Sequence, residues 1–407
     1  MTSNAKLHLV FIGLFFVFSL ILDFNLCCIS YNNNKSLSYT NNFTSDTNSL
    51  KLSDVSERIH INNNWTAAET AGICTGNGSY SDPYIVKDLE IDGGGLGSCI
   101  LIENSTAYFK IENCSLYNSG GYQNAGIKLN NVTKGKLALN NCTSINYYGI
   151  YLTYCDNNTI LGNTVNSDQN GIYLDNCFNN LISENIVINN SYKGIFLTNS
   201  NYNTISGNIV NSNKNGIYLD NCCNNLISEN IVNYNSYDGI ILINSDYNTI
   251  SGNTAKYNYN YGIYLYYSCD YNTISGNTSN NNSHGIYLTN CVNNIISGNN
   301  LSYNINKGME LFSSSYNNII GNNASFNGDT GIRLIDSLYN IVSGNILIGN
   351  KECIAELNCH GNTFSDNGDC TYGQENPLPA ISGYNLFLLI GVFFVVSIII
   401  IKKLKKF

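Results

Sequence analysis

G-I-F-L-T-N-S-N-Y-N-T-I-S-G-N-I-V-N-S-N-K-N, residues 194–215, is one copy of a unit that recurs ten times without a gap at a spacing of 22 or 23 residues. The other copies begin at Gly126, Gly149, Gly171, Gly216, Gly239, Gly262, Gly285, Gly308 and Gly331. A fixed period of this size is the mark of a solenoid, in which each unit buries its apolar face only by stacking on its neighbours. The first and third positions after the glycine are apolar in every copy, Ile195 and Leu197 here, Met309 and Leu311 in the most divergent. The residue between them varies, which is the alternation of a strand with one buried face. Eleven residues after the glycine stands a second apolar position (Ile160, Ile182, Ile205, Ile227, Ile250), delayed by one residue to Ile274 in the copy at Gly262. Val165, Val187, Val210 and Val232 mark a third apolar step. Three short strands per unit with no helical period predict an all-β fold, a parallel β-helix solenoid.

Stacking turns each position of the unit into a column. One column is asparagine throughout: Asn140, Asn163, Asn185, Asn208, Asn230, Asn253, Asn277, Asn299, Asn322 and Asn345. Asparagine tolerates the left-handed conformation of a sharp turn, and stacked amides can hydrogen-bond from coil to coil. A structural ladder is expected there. A second column, six residues after the glycine, alternates Cys155, Cys177, Cys222 and Cys291 with Ser200, Ser245, Ser314 and Ser337, and the insertion brings Cys269 into it. Small, weakly polar residues predict an inward-facing turn, with the thiols free and packed as small hydrophobes.

The 407-residue chain carries a formal charge of -9 and only 12% charged residues. It lacks the basic face that nucleic acid requires. Lys6 and the apolar run Leu9 to Leu22 have the layout of a secretory signal, assigned to residues 1–30. Residues 31–57 are rich in Asn, Ser and Thr and read as a disordered leader. An N-terminal cap is expected over 58–98, the repeats with their terminal coils over 99–370, the last of them at Cys353 to Asn367 with Phe364 in the isoleucine position and Asn367 in the asparagine ladder, and a linker over 371–380. Residues 381–401 are long and apolar enough to span a bilayer, and the basic tail 402–407 marks the cytoplasmic side. The expectation is a single-pass cell-surface protein with its repeats outside. About twelve coils would stack to roughly 55–60 Å. N-x-S/T sequons such as Asn42, Asn64, Asn131, Asn281 and Asn323 would accept glycans in an exported chain. Disulfides are expected only in the caps, among Cys74, Cys99 and Cys114 and among Cys353, Cys359 and Cys370, where a coil lacks a neighbour.

No catalytic constellation stands out. The position two after each glycine holds Tyr151, Tyr173, Phe196, Tyr218, Tyr264 and Tyr287, broken by Ile241. In register these form an outward aromatic ridge, either a ligand-binding surface or a cross-strand stabiliser of the sheet. Carbohydrate cleavage needs paired carboxylates. The best candidates are Asp175, Glu184, Asp220 and Glu229, which recur in two near-identical stretches two coils apart, about 10 Å.

The G-I-Y-L blocks (Gly149 to Leu152), the N-x-I-S-G-N blocks (Asn203 to Asn208) and the entry stretch P-Y-I-V-K-D-L-E-I-D-G (Pro83 to Gly93) resemble the NosD-like repeat family, and the entry also looks like that of pectin-lyase-like helices. The resemblance spans roughly residues 83–367. It implies a right-handed helix and the family's labels, periplasmic copper binding or carbohydrate binding and sugar hydrolysis. With the C-terminal anchor the chain looks like archaeal surface proteins of this group. Copper would want soft or imidazole ligands, yet beyond the signal the chain offers Met309, His60, His284 and His360, far apart along the stack. Neither copper nor calcium is supported by ligand spacing, so no cofactor is expected. The expected function is a non-catalytic, membrane-anchored scaffold that binds glycans or neighbouring surface proteins. A polysaccharide lyase or hydrolase and a NosD-like copper accessory protein are the alternatives.

Overall fold

The computed structural model describes residues 57–166 and 168–368. The expected signal, linker, membrane span and basic tail, and all but the last residue of the leader, lie outside them. Among the described residues no helix is long and apolar enough to cross a membrane.

The chain winds into a right-handed parallel β-helix. Two of its faces are parallel sheets of thirteen strands each, and the third begins as a parallel sheet of six. The copy at Gly194 shows the division: Lys193–Thr198 belongs to the first sheet, Thr204–Ser206 to the second and Ile209–Asn211 to the third. Beyond Asn211 the third face continues as single bridges in register, Ile209 to Ile231 to Thr254 to Thr278. The register holds from coil to coil, because each repeat strand pairs with the same position of the next copy, as Ile172, Ile195 and Ile217 do. The only helix among the described residues is Trp65–Thr70, outside the repeats.

The stack starts earlier than the repeat spacing indicates. Ile59–Asn62 pairs with Ile100–Glu103, Tyr84–Lys87 with Phe109–Glu112, and Glu90–Asp92 with Ser115–Tyr117. The stretch expected as a cap is therefore itself a coil. The helix and a loop inserted between its strands destroy the 22-residue spacing and hide it from a search for period. Trp65 closes this end. Its ring stacks on Tyr84 at 4.9 Å, and its Nε1 donates to Ser105 Oγ at 2.7 Å. At the other end Phe364 continues the second-sheet isoleucine column beside Val342, and Asn367 accepts from the Asn345 backbone N–H, as the sequence predicts.

The interior is a filled triangle. Ile195, Leu197, Ile205 and Val210 are fully buried, as are their equivalents along the stack. Each such side chain contributes about 1.5–3 kcal/mol. The glycine that opens each copy has an ordinary φ and is required by proximity. A Cβ at Gly194 would lie 2.4 Å from Val210 Cγ1 and 2.8 Å from the Gly216 carbonyl oxygen.

The asparagine column corrects one expectation. Those asparagines do not take the left-handed conformation; the residue before each of them does, at Gly207 (φ 65) and Gly252 (φ 64). Each asparagine is a buried rung instead. Asn208 Nδ2 donates to the Ile182 carbonyl (2.9 Å) and to Asn230 Oδ1 (2.9 Å), while its Oδ1 accepts from the Asn185 backbone N–H at 3.0 Å. The amide thus satisfies turn groups that would otherwise be buried without partners. Two further ladders do the same at the other corners, one through Asn180, Asn203 and Asn225, the other through Asn190, Asn213 and Asn235. These two were missed in the sequence because the abundance of asparagine hides additional columns.

The cysteine–serine column is inward as predicted, and Cys155, Cys177, Ser200 and Cys222 are fully buried. The thiols are free and donate to backbone carbonyls, Cys155 Sγ to Thr153 O at 3.2 Å. The expected N-terminal disulfides are absent. Cys74, Cys99 and Cys114 are free thiols buried in the core. At the C-terminal end Cys353 is disulfide-bonded, as expected of that cap, while Cys359 is free and Cys370 lies outside the described residues.

Candidate functional site: the aromatic face of the first sheet

Each first-sheet strand is held by its buried pair of apolar residues, which turns the residue between them outward. Tyr151, Tyr173, Phe196, Tyr218, Ile241, Tyr264 and Tyr287 therefore stand in one column with strict register. The rings stack. Tyr151 and Tyr173 are 5.0 Å apart at 9°, Tyr173 and Phe196 4.6 Å at 7°, while Phe196 meets Tyr218 edge-on at 5.5 Å. The ridge is half-buried, and Tyr151 is only 8% exposed. The faces of Tyr151, Tyr173 and Phe196 cover one another.

A second outward column, just before each glycine, flanks the ridge and supplies charge. Lys193 Nζ lies 3.5 Å from the Phe196 ring centre and 3.7 Å from that of Tyr218. Burial pushes its amine down to about 8, opposed by the Asp220 carboxylate; the ring faces also favour its charged form. Further along, Lys307 Nζ contacts Glu310 Oε2 at 2.9 Å and His284 Nε2 lies 3.8 Å from the same oxygen. Burial, then the Lys307 ammonium, hold His284 below its ordinary range, against Glu310 and Asp329. Tyr261 stacks on Tyr287 at 4.8 Å beside this group. Sequence reasoning overlooked it, since His284 and Glu310 are 26 positions apart. Reading the column before the glycine against the ridge column of the next copy would have found it.

The four candidate acids separate into two places. Asp175 and Asp220 lie on the first-sheet face, in register through Thr198. Burial raises the Asp175 pKa, and Asn176 Nδ2 donates to Asp175 Oδ1 at 2.8 Å. Glu184 and Glu229 occupy the left-handed corner after the second sheet, each at φ 57. The chain carries them round to a different edge, so no acid pair of that set closes on one point. Exposed tyrosines at another left-handed corner went unnoticed, with Tyr247 stacked on Tyr271 at 5.1 Å and Tyr316 on Tyr339 at 5.3 Å. Their signal is an aromatic eight or nine residues after the glycine.

Architecture and columns define the class first, a right-handed parallel β-helix. Within that class, the family model described as periplasmic copper-binding protein (NosD) matches residues 108–274 and 232–368, and the chain belongs to that family. Among solved structures it is similar to a double mutant of the periplasmic alginate epimerase AlgG, with 16% identity and a TM-score of 0.54 over 69% of this chain and 78% of that one. It is also similar to the Azotobacter vinelandii mannuronan C-5 epimerase AlgE4 A-module, at 15% identity and a TM-score of 0.48 over 75% and 94% of the two chains. At 16% identity the likeness to AlgG is one of fold. No curated protein matches by sequence.

The family's description raises copper, and the described residues do not fit it. The ladder thiols are interior, each engaged with a carbonyl, and burial pushes Cys177 and Cys222 well up, away from the thiolate a metal needs. His60 is engaged by Glu103 at 2.8 Å, His284 lies beside Glu310, and His360 meets the Tyr339 ring edge-on. Met309 is in the core. Among the described residues no three His, Cys, Asp or Glu side chains converge.

Proposed function

We propose that this protein is an exported, membrane-anchored β-helix scaffold, without catalysis of its own, whose first-sheet face binds glycans or neighbouring surface proteins. The observation that carries the reading is the column Tyr151, Tyr173, Phe196 and Tyr218, held in register with Lys193 on two of its rings and Asp175 and Asp220 at its margin. Aromatic rings held beside fixed charges form a surface that can pack against a sugar or a protein strand. Membrane anchoring rests on the sequence pattern at 381–401.

The test is the triple replacement of Tyr173, Phe196 and Tyr218 by serine in the soluble repeat region, scored on a glycan array and by thermal unfolding. Binding should fall while the β-helix stays folded. Stability should drop by about 0.2–1 kcal/mol for each cross-strand pair removed. Lost stability with unchanged binding would make the ridge a purely structural device and end this reading.

A second reading, a carbohydrate-active enzyme, draws on one observation: His284, Lys307 and Glu310 gather beside Tyr261 and Tyr287 on the same face. Release of unsaturated or reducing sugar from a polysaccharide, abolished by His284→Gln, would establish it. Activity unaffected by that change would rule this group out as the catalytic site.

A further inference from the structure

A cleft of about 570 Å³ opens at the N-terminal end of the second sheet, remote from the aromatic ridge. Its walls are made by neighbouring coils and by the loop that precedes Pro83. That loop is tied to the coil by the Tyr108 backbone N–H, which donates to the Gly78 carbonyl at 3.0 Å. Three lysines line the cleft, Lys110, Lys134 and Lys136, and no acidic side chain does. Lys110 and Lys136 are brought together by register, since they pair directly across adjacent strands. Two like charges placed opposite each other are unfavourable, and none of the three lysines has an ion-pair or hydrogen-bond partner among the described residues. The chain as a whole is acidic, with 19 Lys and Arg against 28 Asp and Glu, so three unpaired lysines in one concavity stand against its general balance. An aromatic wall completes the cleft. Tyr80 meets Tyr108 edge-on at 5.4 Å, and Lys134 Nζ lies 5.0 Å from the centre of the Tyr108 ring. Tyr80 is 82% exposed, so its ring is open to a ligand.

We propose that this cleft is a binding site for an acidic saccharide, with the sugar ring against Tyr80 and Tyr108 and its carboxylate or sulfate held by Lys110, Lys134 and Lys136. The volume is within the ordinary range for a small-ligand site, about 300–1,000 Å³. The lysines supply the attraction and relieve their mutual repulsion when an anion enters, while the aromatic wall favours a ring over a bare ion. The inference builds on the glycan-binding reading above but uses none of the ridge residues, so the two can fail separately.

The test uses the full repeat region and three hexasaccharide probes: a uronate, a sulfated chain and a neutral one, titrated calorimetrically at low and high salt. The variant is Lys134→Asn with Lys136→Thr. Asn157 and Thr159 hold those positions in the next coil, so the backbone already accepts both residues. The expected result is binding of an acidic probe that weakens with salt and falls at least tenfold in the variant, with thermal stability kept. The uronate and sulfate arms decide which anionic group is preferred. Equal binding of the neutral probe, or an unchanged affinity in the variant, overturns the site. If an acidic probe binds the ridge triple variant as tightly as the parent but not the lysine variant, the cleft stands and the ridge does not. The reverse pattern removes the cleft and leaves the ridge.

Discussion

Single residues in this protein are governed by the column they occupy. The left-handed corner after the second sheet shows this most sharply. Gly162, Gly207 and Gly252 sit there at φ 64 to 65, where a residue without Cβ is unstrained, but Glu184 and Glu229 take the same corner at φ 57. An ordinary side chain in this conformation costs about 1–2 kcal/mol, partly offset by the smaller backbone entropy that a non-glycine residue loses on folding. Glu184→Gly should therefore stabilise the protein by about 1 kcal/mol in chemical denaturation. A loss of stability would mean that the glutamate makes a contact that outweighs its backbone. In the sequence these acids invited a catalytic reading; in the fold they mark a strained turn.

At the scale of an element, the asparagine ladders join the three faces, and one rung differs. Asp168 heads the ladder that runs on through Asn190. Its Oδ1 accepts from the Ile145 backbone N–H at 2.8 Å, and its own N–H donates to Asn190 Oδ1 at 3.1 Å. Its Oδ2 takes the place of an amide nitrogen and has no hydrogen-bond partner. Burial pushes this carboxyl up to about 8, against about 3.9 for a free aspartate. Between those values the folded chain holds a proton that the unfolded chain has released, so stability is intact below about pH 4 and declines as the pH rises towards 8. The decline is at most about 1.4 kcal/mol per pH unit from this group. Asp238, pushed up to about 6 by burial, acts with the same sign over a narrower window. Asp168→Asn should flatten the decline between pH 4 and 8 in denaturation measured across that range. An unchanged slope would mean that Asp168 is already ionised in the fold.

The whole molecule behaves as a stack in which each coil meets only its neighbours, so its stability should be close to a sum over coils. Removing the 23 residues 216–238 joins Asn215 to Gly239 and leaves every column filled. Asn203 would then meet Asn248, and Asn208 would meet Asn253. Circular dichroism should report the same β structure with a lower thermal midpoint and a single transition. Collapse of the fold would show that this copy carries a contact beyond its neighbours.

The sequence by itself determined the period, the three strands per coil, the inward cysteine column, the outward aromatic column and the final coil at Phe364 and Asn367. All of these follow from local alternation repeated at a fixed spacing, and stacking copies that order into space without further information. Only the tertiary structure decided the rest: the early coil at Ile59, the backbone role of Asn208, the meeting of His284 with Glu310, and the convergence of Lys110, Lys134 and Lys136 beneath a single loop. Those depend on which columns of successive coils touch and on insertions that occur once. A periodic pattern cannot encode an event that breaks its period, nor the sideways contacts that form when the coils close on one another.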